Sequence, residues 1–558
     1  MTNPKRGQAA EMASLLKPFV PWLAFSIVTG MAAGGATVAL LGTINEVLNR
    51  SGGMAGGLLM TFIALCAVSL VCRAASDIST NVVGQRLVAM VRKSLAQKIM
   101  AAPIDALERY RTHRLMPVLT GDVDMISDVA FALAGTLIAL AITLGCLCYL
   151  AWLSLPLFAL LLTALVLGTG GQIWAQTHGV SGFWKARESE ERLHKAYRAI
   201  SDGAKELRMH RARRTAMFEE QIARTIDTIR DINGRAINTY VLATAFGSAL
   251  FFMLIALILG WAAFTTLKPE VLSGFVLVLL FVKGPIDQIA NAVPGVGRAT
   301  VAFRRIAEMS LKFETPEPYL ALTQPGSQTA MPLQDKIVLR DVRYAFEAVE
   351  GVKPFVMGPI DLELRRGELV FVIGDNGSGK TTFIKLLLGL YAPQQGEILL
   401  DGQPVAPQNR DEYRQLFTTV FSDFYLFDDL VVQGDAHRAF TSDEALPYLK
   451  RLEIDHKVAI QDGRFTTTDL STGQRKRLAL VHAYLEGRPV LVFDEWAADQ
   501  DPAFRHVFYT EILPELRDRG HLVIAISHDD RYFHLADRLI RFRHGKVDQE
   551  DVSAARAA

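Results

Sequence analysis

Cysteine is scarce in this 558-residue chain. The four present, Cys66, Cys72, Cys146 and Cys148, all lie within or beside apolar runs. They lack the company a metal site needs, so they read as small buried hydrophobes and a disulfide framework is not expected. Net charge is almost absent as well. A formal value of +1 argues against a polyanion-binding role, and so against nucleic acid as a partner. A signal-peptide pattern is also missing. Lys5 and Arg6 precede the first apolar run, Phe19 to Leu41, but that run is too long for an h-region and no Ala-x-Ala cleavage pattern follows promptly.

Apolar sequence is what the chain has in excess. Half of its residues are hydrophobic and its mean hydropathy is positive, unusual for a soluble enzyme of this length. Phe19 to Leu41 is long enough to cross a bilayer at roughly twenty residues per crossing. Further runs cover Gly57 to Val71, Val129 to Leu150, Leu155 to Gly170, Tyr240 to Phe264 and Val271 to Val282. The second and last are short and must extend through weakly polar flanks. The expectation is a six-helix membrane region.

The cations orient it. The connection after the second run carries Arg86, Arg92, Lys93, Lys98, Arg109, Arg111 and Arg114. The one after the fourth carries ten more, from Lys185 to Arg214. Both are expected in the cytoplasm, with the short connections outside and both chain ends inside. Trp152 and Trp261 fall near the outer edge. The two long connections have helical composition, with reversals at Pro103 and Gly203 followed by mixed-charge stretches. Two readings are open for these turns: solvated helix faces, or docking elements that carry force to a second domain.

After the sixth run, Lys283 and Asp287 stand four residues apart and share a helix face, while Pro285 and Pro294 are expected to bend that helix. They are read either as a solubility pair just past the bilayer or as part of a substrate path. From Phe313 to Pro332 the sequence turns to Pro, Glu, Thr, Gln and Gly, which reads as a linker. The expected division is a membrane domain over 1–312, a linker over 313–334 and an α/β domain over 335–558.

The α/β domain carries the chemistry. Gly374-Asp375-Asn376-Gly377-Ser378-Gly379-Lys380-Thr381 follows the apolar run Leu369 to Ile373 and reads as a P-loop between a strand and a helix. Its backbone N–H groups, with Thr382 next along, wrap ATP phosphates, Lys380 reaches the β and γ phosphates, and the Thr381 hydroxyl holds Mg²⁺. Pro489 to Glu495 reads as a buried strand ending in two carboxylates. Asp494 suits the metal and Glu495 suits the base that activates the attacking water. Leu522 to Ile526 is another buried strand, ending at Ser527 and His528. His528 is either an ordinary surface histidine or a γ-phosphate contact. Leu470-Ser471-Thr472-Gly473-Gln474 opens a basic helix, and its turn is either a plain N-cap or a second anion clamp. A second clamp points to a nucleotide held by another copy of the chain, and so to a homodimer.

In this order the P-loop, Leu-Ser-x-Gly-Gln, Asp494-Glu495 and His528 resemble the ATP-binding domain of an ABC transporter, and the six runs ahead of it match an exporter half-transporter. The resemblance implies that Phe346 or Tyr344 stacks on adenine, Phe346 being the better match. It also implies that Asp501 is the D-loop acid and that the turns near Pro103 and Gly203 couple the domains. Phe493 to Pro502 and Ser527 to Phe533, with Leu-Ser-Thr-Gly-Gln, look like exporters of cyclic peptides and peptide siderophores, such as the pyoverdine-precursor and syringomycin exporters. One position departs from the family. Where most members carry a metal-sensing Gln, this chain has Ser422-Asp423, so Ser422 or Asp423 is the expected oxygen ligand. The resemblance implies ATP and Mg²⁺ as cofactors, membrane lipid around the helices and a peptide-like cargo. A lipid or drug exporter, or a structural half of a heterodimer, is the alternative.

Overall fold

The computed structural model describes residues 17–50, 56–110, 115–164, 195–264, 268–320, 332–346, 354–432 and 435–552, with isolated positions between 166 and 193. Lys5, Arg6, Arg111, Arg114, Lys185 and Arg187 lie outside these residues, as do part of the fourth expected span beyond Ala164 and the middle of the expected linker. The chain divides into two compact units. One is drawn from Met1–Leu95 and His113–Leu311, the other from Ala96–Thr112 and Lys312–Ala558. The stretch Ala96–Thr112 therefore packs with the C-terminal unit, whereas the sequence alone placed it in the membrane domain.

The helices are α1 (Val20–Asn49), α2 (Gly56–Ala101), α3 (Ile104–Tyr110), α4 (Val123–Leu153), α5 (Leu155–Ala164), α6 (Ala204–Met209), α7 (Arg224–Phe264) and α8 (Pro269–Lys312). Among the described residues five helices are long and apolar enough to cross a membrane, and α5 is a shorter apolar one. At 46 and 44 residues, α2 and α8 extend about 69 and 66 Å, roughly twice the hydrocarbon thickness, so each continues into water. α8 runs unbroken through Pro285 and Pro294.

Small residues bring α1 and α4 together: a Cβ on Gly34 would lie 3.1 Å from that of Ala141. Hydroxyls join α1 to α2, where Ser26 Oγ lies 3.0 Å from Ser76 Oγ and 2.7 Å from Thr80 Oγ1. Near the outer ends, the Asn45 amide donates to the Glu270 carbonyl at 3.0 Å, and Ser273 donates to Asn45 Oδ1 at 2.7 Å. These polar groups satisfy one another where hydrocarbon would leave them unpaired.

The second unit is built on strands β1 (Lys336–Ala345), β2 (Val356–Arg365), β3 (Leu369–Gly374), β4 (Gln395–Leu400), β5 (Phe417–Val420), β6 (Val490–Asp494), β7 (Leu522–Ile526), β8 (Arg538–Arg543) and β9 (Lys546–Val552), with helices α9 (Lys380–Leu387), α10 (Thr472–Glu486) and α11 (Pro502–Val507). An antiparallel sheet has the order β2-β1-β4, extended by the short strand Gln403–Pro404. The main sheet has the order β9-β8-β3-β7-β6-β5, parallel except for β9. β6 and β7 are buried along their whole length and β3 nearly so, because cores pack on both faces. Leu369, Phe371 and Ile373 enter one core, and Val370 and Val372 enter the other. That is why these strands read as continuous apolar runs instead of alternating ones.

The start of the expected linker is not a loose tether. Phe313 is buried against Tyr110 of α3, with ring centroids 5.3 Å apart. Glu317 is buried too: it accepts two hydrogen bonds from Arg414, one at 3.0 Å, and its N–H donates to the Ala101 carbonyl at 2.7 Å. Arg410 lies 3.8 Å from the same carboxylate. A carboxylate shared between two guanidinium groups fixes the end of α2 and the start of the linker on one surface.

Candidate functional site

The sheet order decides what meets. β3, β7, β6 and β5 are neighbours and parallel, so the segments leaving their C-terminal ends converge. Those segments are the Gly374–Lys380 loop, Ser527-His528, Asp494-Glu495 and Phe421-Ser422, which lie far apart in the sequence.

The loop after β3 has the shape of an anion cradle. Gly374 has φ +141°, and a Cβ there would lie 2.3 Å from the Phe542 carbonyl, so no larger residue fits. Asn376 and Gly377 are exposed at its tip, Gly379 precedes α9, and Thr381 and Thr382 lie in the first turn of that helix. Lys380 bends back, donating to the carbonyls of Gly374 at 2.8 Å and Asp375 at 3.1 Å. Burial lowers its pKa, opposed by the charges of Glu495, Asp494 and Asp375. Ser378 Oγ is buried with no hydrogen-bond partner inside the cradle. An orphaned hydroxyl beside a cation that has only loop carbonyls to hold fits a bound polyphosphate.

Asp494 is 2% exposed and accepts a hydrogen bond from Ser422 Oγ at 3.2 Å. Burial raises its pKa, and the nearby Glu495 and Asp423 charges push the same way. A carboxyl whose folded pKa lies above its unfolded one loses stability as pH rises from the unfolded value through the folded value, so at neutral pH the ionised Asp494 is a penalty. Asp494→Asn should therefore raise the melting temperature of the nucleotide-free protein, by roughly 1 kcal/mol of stability, while abolishing ATP turnover. Calorimetry at pH 7 without nucleotide, beside an ATPase assay, checks both parts.

Glu495 adopts a left-handed backbone, φ 50° and ψ 35°, uncommon for a residue with a side chain and a form of strain found at active sites. Its carbonyl is held by Lys476 Nζ at 2.9 Å, and its carboxylate lies 3.2 Å from His528 Nε2. Both side chains remain partly exposed, open to a bound reactant. Among the described residues no three His, Cys or acidic side chains cluster as a metal site. The protein oxygens that could hold a cation here are few, the Thr381 and Ser422 hydroxyls and the Asp494 carboxylate, with Asp423 exposed beside them. Such a set suits an ion that keeps water and phosphate ligands.

Ser471 caps α10 with a full capping box. Its Oγ accepts from the Gln474 N–H, and the Gln474 side chain returns to the Ser471 N–H, each at 3.4 Å. Thr472 begins the helix. Gly473 is pinned against the 499–501 loop: a Cβ there would lie 2.6 Å from the Asp499 carbonyl, and Gln500 Nε2 donates to the Gly473 carbonyl at 2.9 Å. Arg477 binds Gln500 at 3.0 Å and Asp501 at 2.6 Å. Asp501 also caps α11 through the Phe504 N–H, and that bond holds its pKa below the usual carboxylate range. The Ser471–Gln474 turn is thus fastened to the loop after β6, and its contacts are with that loop.

Of the two aromatic candidates, Tyr344 is 8% exposed and stacks on Tyr391 at 4.8 Å, while Phe346, 37% exposed, stands edge-on to it at 5.3 Å. Phe346 is the one with free surface for a base. The wall behind it reaches α3. Glu108 pairs with Lys385 Nζ at 2.7 Å and accepts a short hydrogen bond from the Tyr391 hydroxyl, whose pKa is raised by burial and by that carboxylate.

Sequence reasoning missed Lys476, Trp496 and Gln500. Lys476 is 2% exposed and joins α10 to the Glu495 carbonyl and to Asp499 at 2.7 Å. Trp496 donates to the Lys476 carbonyl at 2.9 Å and stacks on Phe508 at 4.1 Å. The signal available was a Lys and a Trp beside motif residues, with nothing in the sequence to pair them.

A helical unit with membrane-crossing helices and a P-loop unit on a mainly parallel sheet define an ATP-driven membrane transporter. Residues 357–498 match the family described as ABC transporter, and residues 20–282 match the ABC transporter transmembrane region. ATP-binding protein SyrD of Pseudomonas syringae pv. syringae is 32% identical over 549 residues, 97% of each chain. An ATP-dependent lipid A-core flippase of Nitrosococcus oceani is 24% identical, covering 83% of this chain and 78% of its own. A bacterial Atm1-family ABC exporter, solved with ATP bound, shares the fold with a TM-score of 0.71 over 98% of this chain and 97% of its own, at 18% identity. The chain belongs to the ABC transporter family. It is an exporter half-transporter, a multi-pass membrane protein whose cytoplasmic ATPase unit is coupled to transport.

Proposed function

We propose that the protein exports a peptide-like small molecule, a peptide siderophore or a cyclic peptide, across the cytoplasmic membrane as a homodimer. The observation that carries the cargo reading is the match to SyrD along nearly the whole chain, together with the likeness of Phe493 to Pro502 and Ser527 to Phe533 to cyclic-peptide and siderophore exporters. The motor reading rests on the convergence of β3, β7, β6 and β5. In this reading the Gly374–Thr382 loop of one copy holds ATP, with Phe346 against the adenine, and Ser471, Thr472, Gly473 and Gln474 of the second copy complete the γ-phosphate site, with Asp501 at the seam. Mg²⁺ would be held by Thr381 and Asp494, with Ser422 or Asp423 supplying the oxygen that a Gln supplies elsewhere in the family, and bound there it would supply charge neutralisation to the phosphates. Glu495 takes the proton of the attacking water, and His528 orients Glu495 and contacts the γ phosphate.

Lipid is the second reading for the cargo, favoured by the lipid A-core flippases among the relatives. The purified single chain in lipid should hydrolyse ATP unaided, which a structural half of a heterodimer would not do. A panel of peptide siderophores, cyclic lipopeptides and lipid A decides the cargo. Stimulation of ATPase by the peptides is expected, and stimulation by lipid A alone would overturn the peptide reading.

A further inference from the structure

Between Glu270 and Arg298, α8 carries two charges, Lys283 and Asp287. Their depth can be read from the packing of α8 on α4. A Cβ on Gly274 would lie 2.7 Å from Leu153 Cδ2, and one on Gly135 would lie 2.5 Å from Gln288 Nε2. The apolar part of α4 runs from Val129 to Leu153, so Gly135 lies within it and is not its inner end. Lys283 stands nine residues inward of Gly274 and five outward of Gln288, about 14 Å and about 8 Å along the axis. It and Asp287 both fall inside the apolar, membrane-length stretch of α8, Pro269–Ala292, and neither lies beyond it.

The pair also occupies a particular face. Phe275, Val278, Leu279 and Val282 are fully buried against neighbouring helices. The opposite side is exposed and changes character inward, from Leu280 and Phe281 to Gly284, Gln288 and Asn291. Asp287 borders this polar stretch at 40% exposure, joined to Lys283 Nζ at 2.6 Å. A charged, amide-bearing face at membrane depth is expensive against hydrocarbon and belongs beside water.

We propose that Lys283, Asp287 and Gln288 form a cargo-binding site on the aqueous transport path, one that takes a peptide-like molecule bearing both a carboxylate and an ammonium group. The carboxylate goes to Lys283, the ammonium to Asp287, and a peptide amide to Gln288. The proposal rests on the peptide-like reading of the cargo. Its selectivity comes from the pair's neutrality. Because Lys283 and Asp287 already satisfy each other, a ligand with one charge frees the partner charge and leaves it unpaired, whereas a ligand with both replaces the pair completely.

The test uses the full chain in phospholipid nanodiscs and three synthetic N-acyl cyclic hexapeptides. One has a free Lys amine and a free Asp carboxylate, one is its methyl ester, and one is its N-acetyl-lysine form. The readout is the half-saturating concentration for ATPase stimulation over each protein's own unstimulated rate. The zwitterionic peptide should half-saturate the native chain at a concentration about tenfold below either blocked form. Lys283→Gln should lose discrimination against the ester alone, Asp287→Asn should lose discrimination against the acetylated form alone, and Lys283→Arg should keep both. Equal response of the native chain to all three peptides overturns the site, even if no variant folds. Unaltered discrimination in Lys283→Gln and Asp287→Asn also overturns it, leaving peptide export standing. A native chain stimulated by lipid A and by none of the peptides overturns peptide export itself, and this site with it.

Discussion

Replacing Glu495 by Gln should lower ATP turnover by about 10²- to 10⁴-fold, the usual contribution of a general base, while ATP binding is kept. The substitution is nearly isosteric, so the features that fix the residue persist. Its carbonyl stays on Lys476, its neighbour Trp496 stays stacked on Phe508, and the side-chain amide can still bond His528. Only the proton acceptor is lost. Retention of labelled ATP by the purified variant, measured beside phosphate release, separates binding from chemistry. Release at the native rate would remove Glu495 as the base and leave Asp494 as the sole acid at the end of β6. That acid is a poor substitute, since it is 2% exposed and engaged by Ser422.

The strands that build this site were legible because both their faces are buried. Val490 to Phe493 and Leu522 to Ile526 have no polar residue to interrupt them, and each run stops where the chemistry begins. The P-loop was legible for a related reason, since its glycines and Lys380 are required by backbone shape and charge within one short segment. Interactions spanning long sequence separations were not legible. Glu108 meets Lys385 and Tyr391, Lys476 meets the Glu495 carbonyl, and Arg414 meets Glu317. Each is a common charged residue whose meaning depends on where another element comes to rest. The membership of Ala96–Thr112 in the second unit was hidden in the same way, because the helical pattern of α2 continues unchanged across Leu95.

The Ser471–Gln474 turn was only half legible, and its geometry is what makes the last prediction decisive. The capping box satisfies the turn locally, as a plain N-cap would, and its remaining contacts fix it to Asp499 and Gln500. The capping box engages the Gln474 N–H at the start of α10, and in the proposed dimer the Thr472 and Gly473 N–H groups beside it would meet the phosphates of a nucleotide held by the other copy. Two mixtures of chains test this. When Lys380→Ala chains are paired with Ser471→Arg chains, a composite site across two copies predicts that one of the two sites keeps both intact halves. ATPase should then return to about half the native rate per dimer if the sites act independently, against losses of about 10²-fold or more in each parent. A site completed within one chain predicts no recovery. The reciprocal mixture pairs native chains with the double variant Lys380→Ala/Ser471→Arg. Here the composite arrangement predicts no activity in the mixed dimer, because each site inherits one damaged half, whereas a site within one chain predicts half. Separating mixed dimers by two affinity tags before the assay makes the outcomes opposite in the two arrangements. Recovery in the second mixture and none in the first would overturn the shared site.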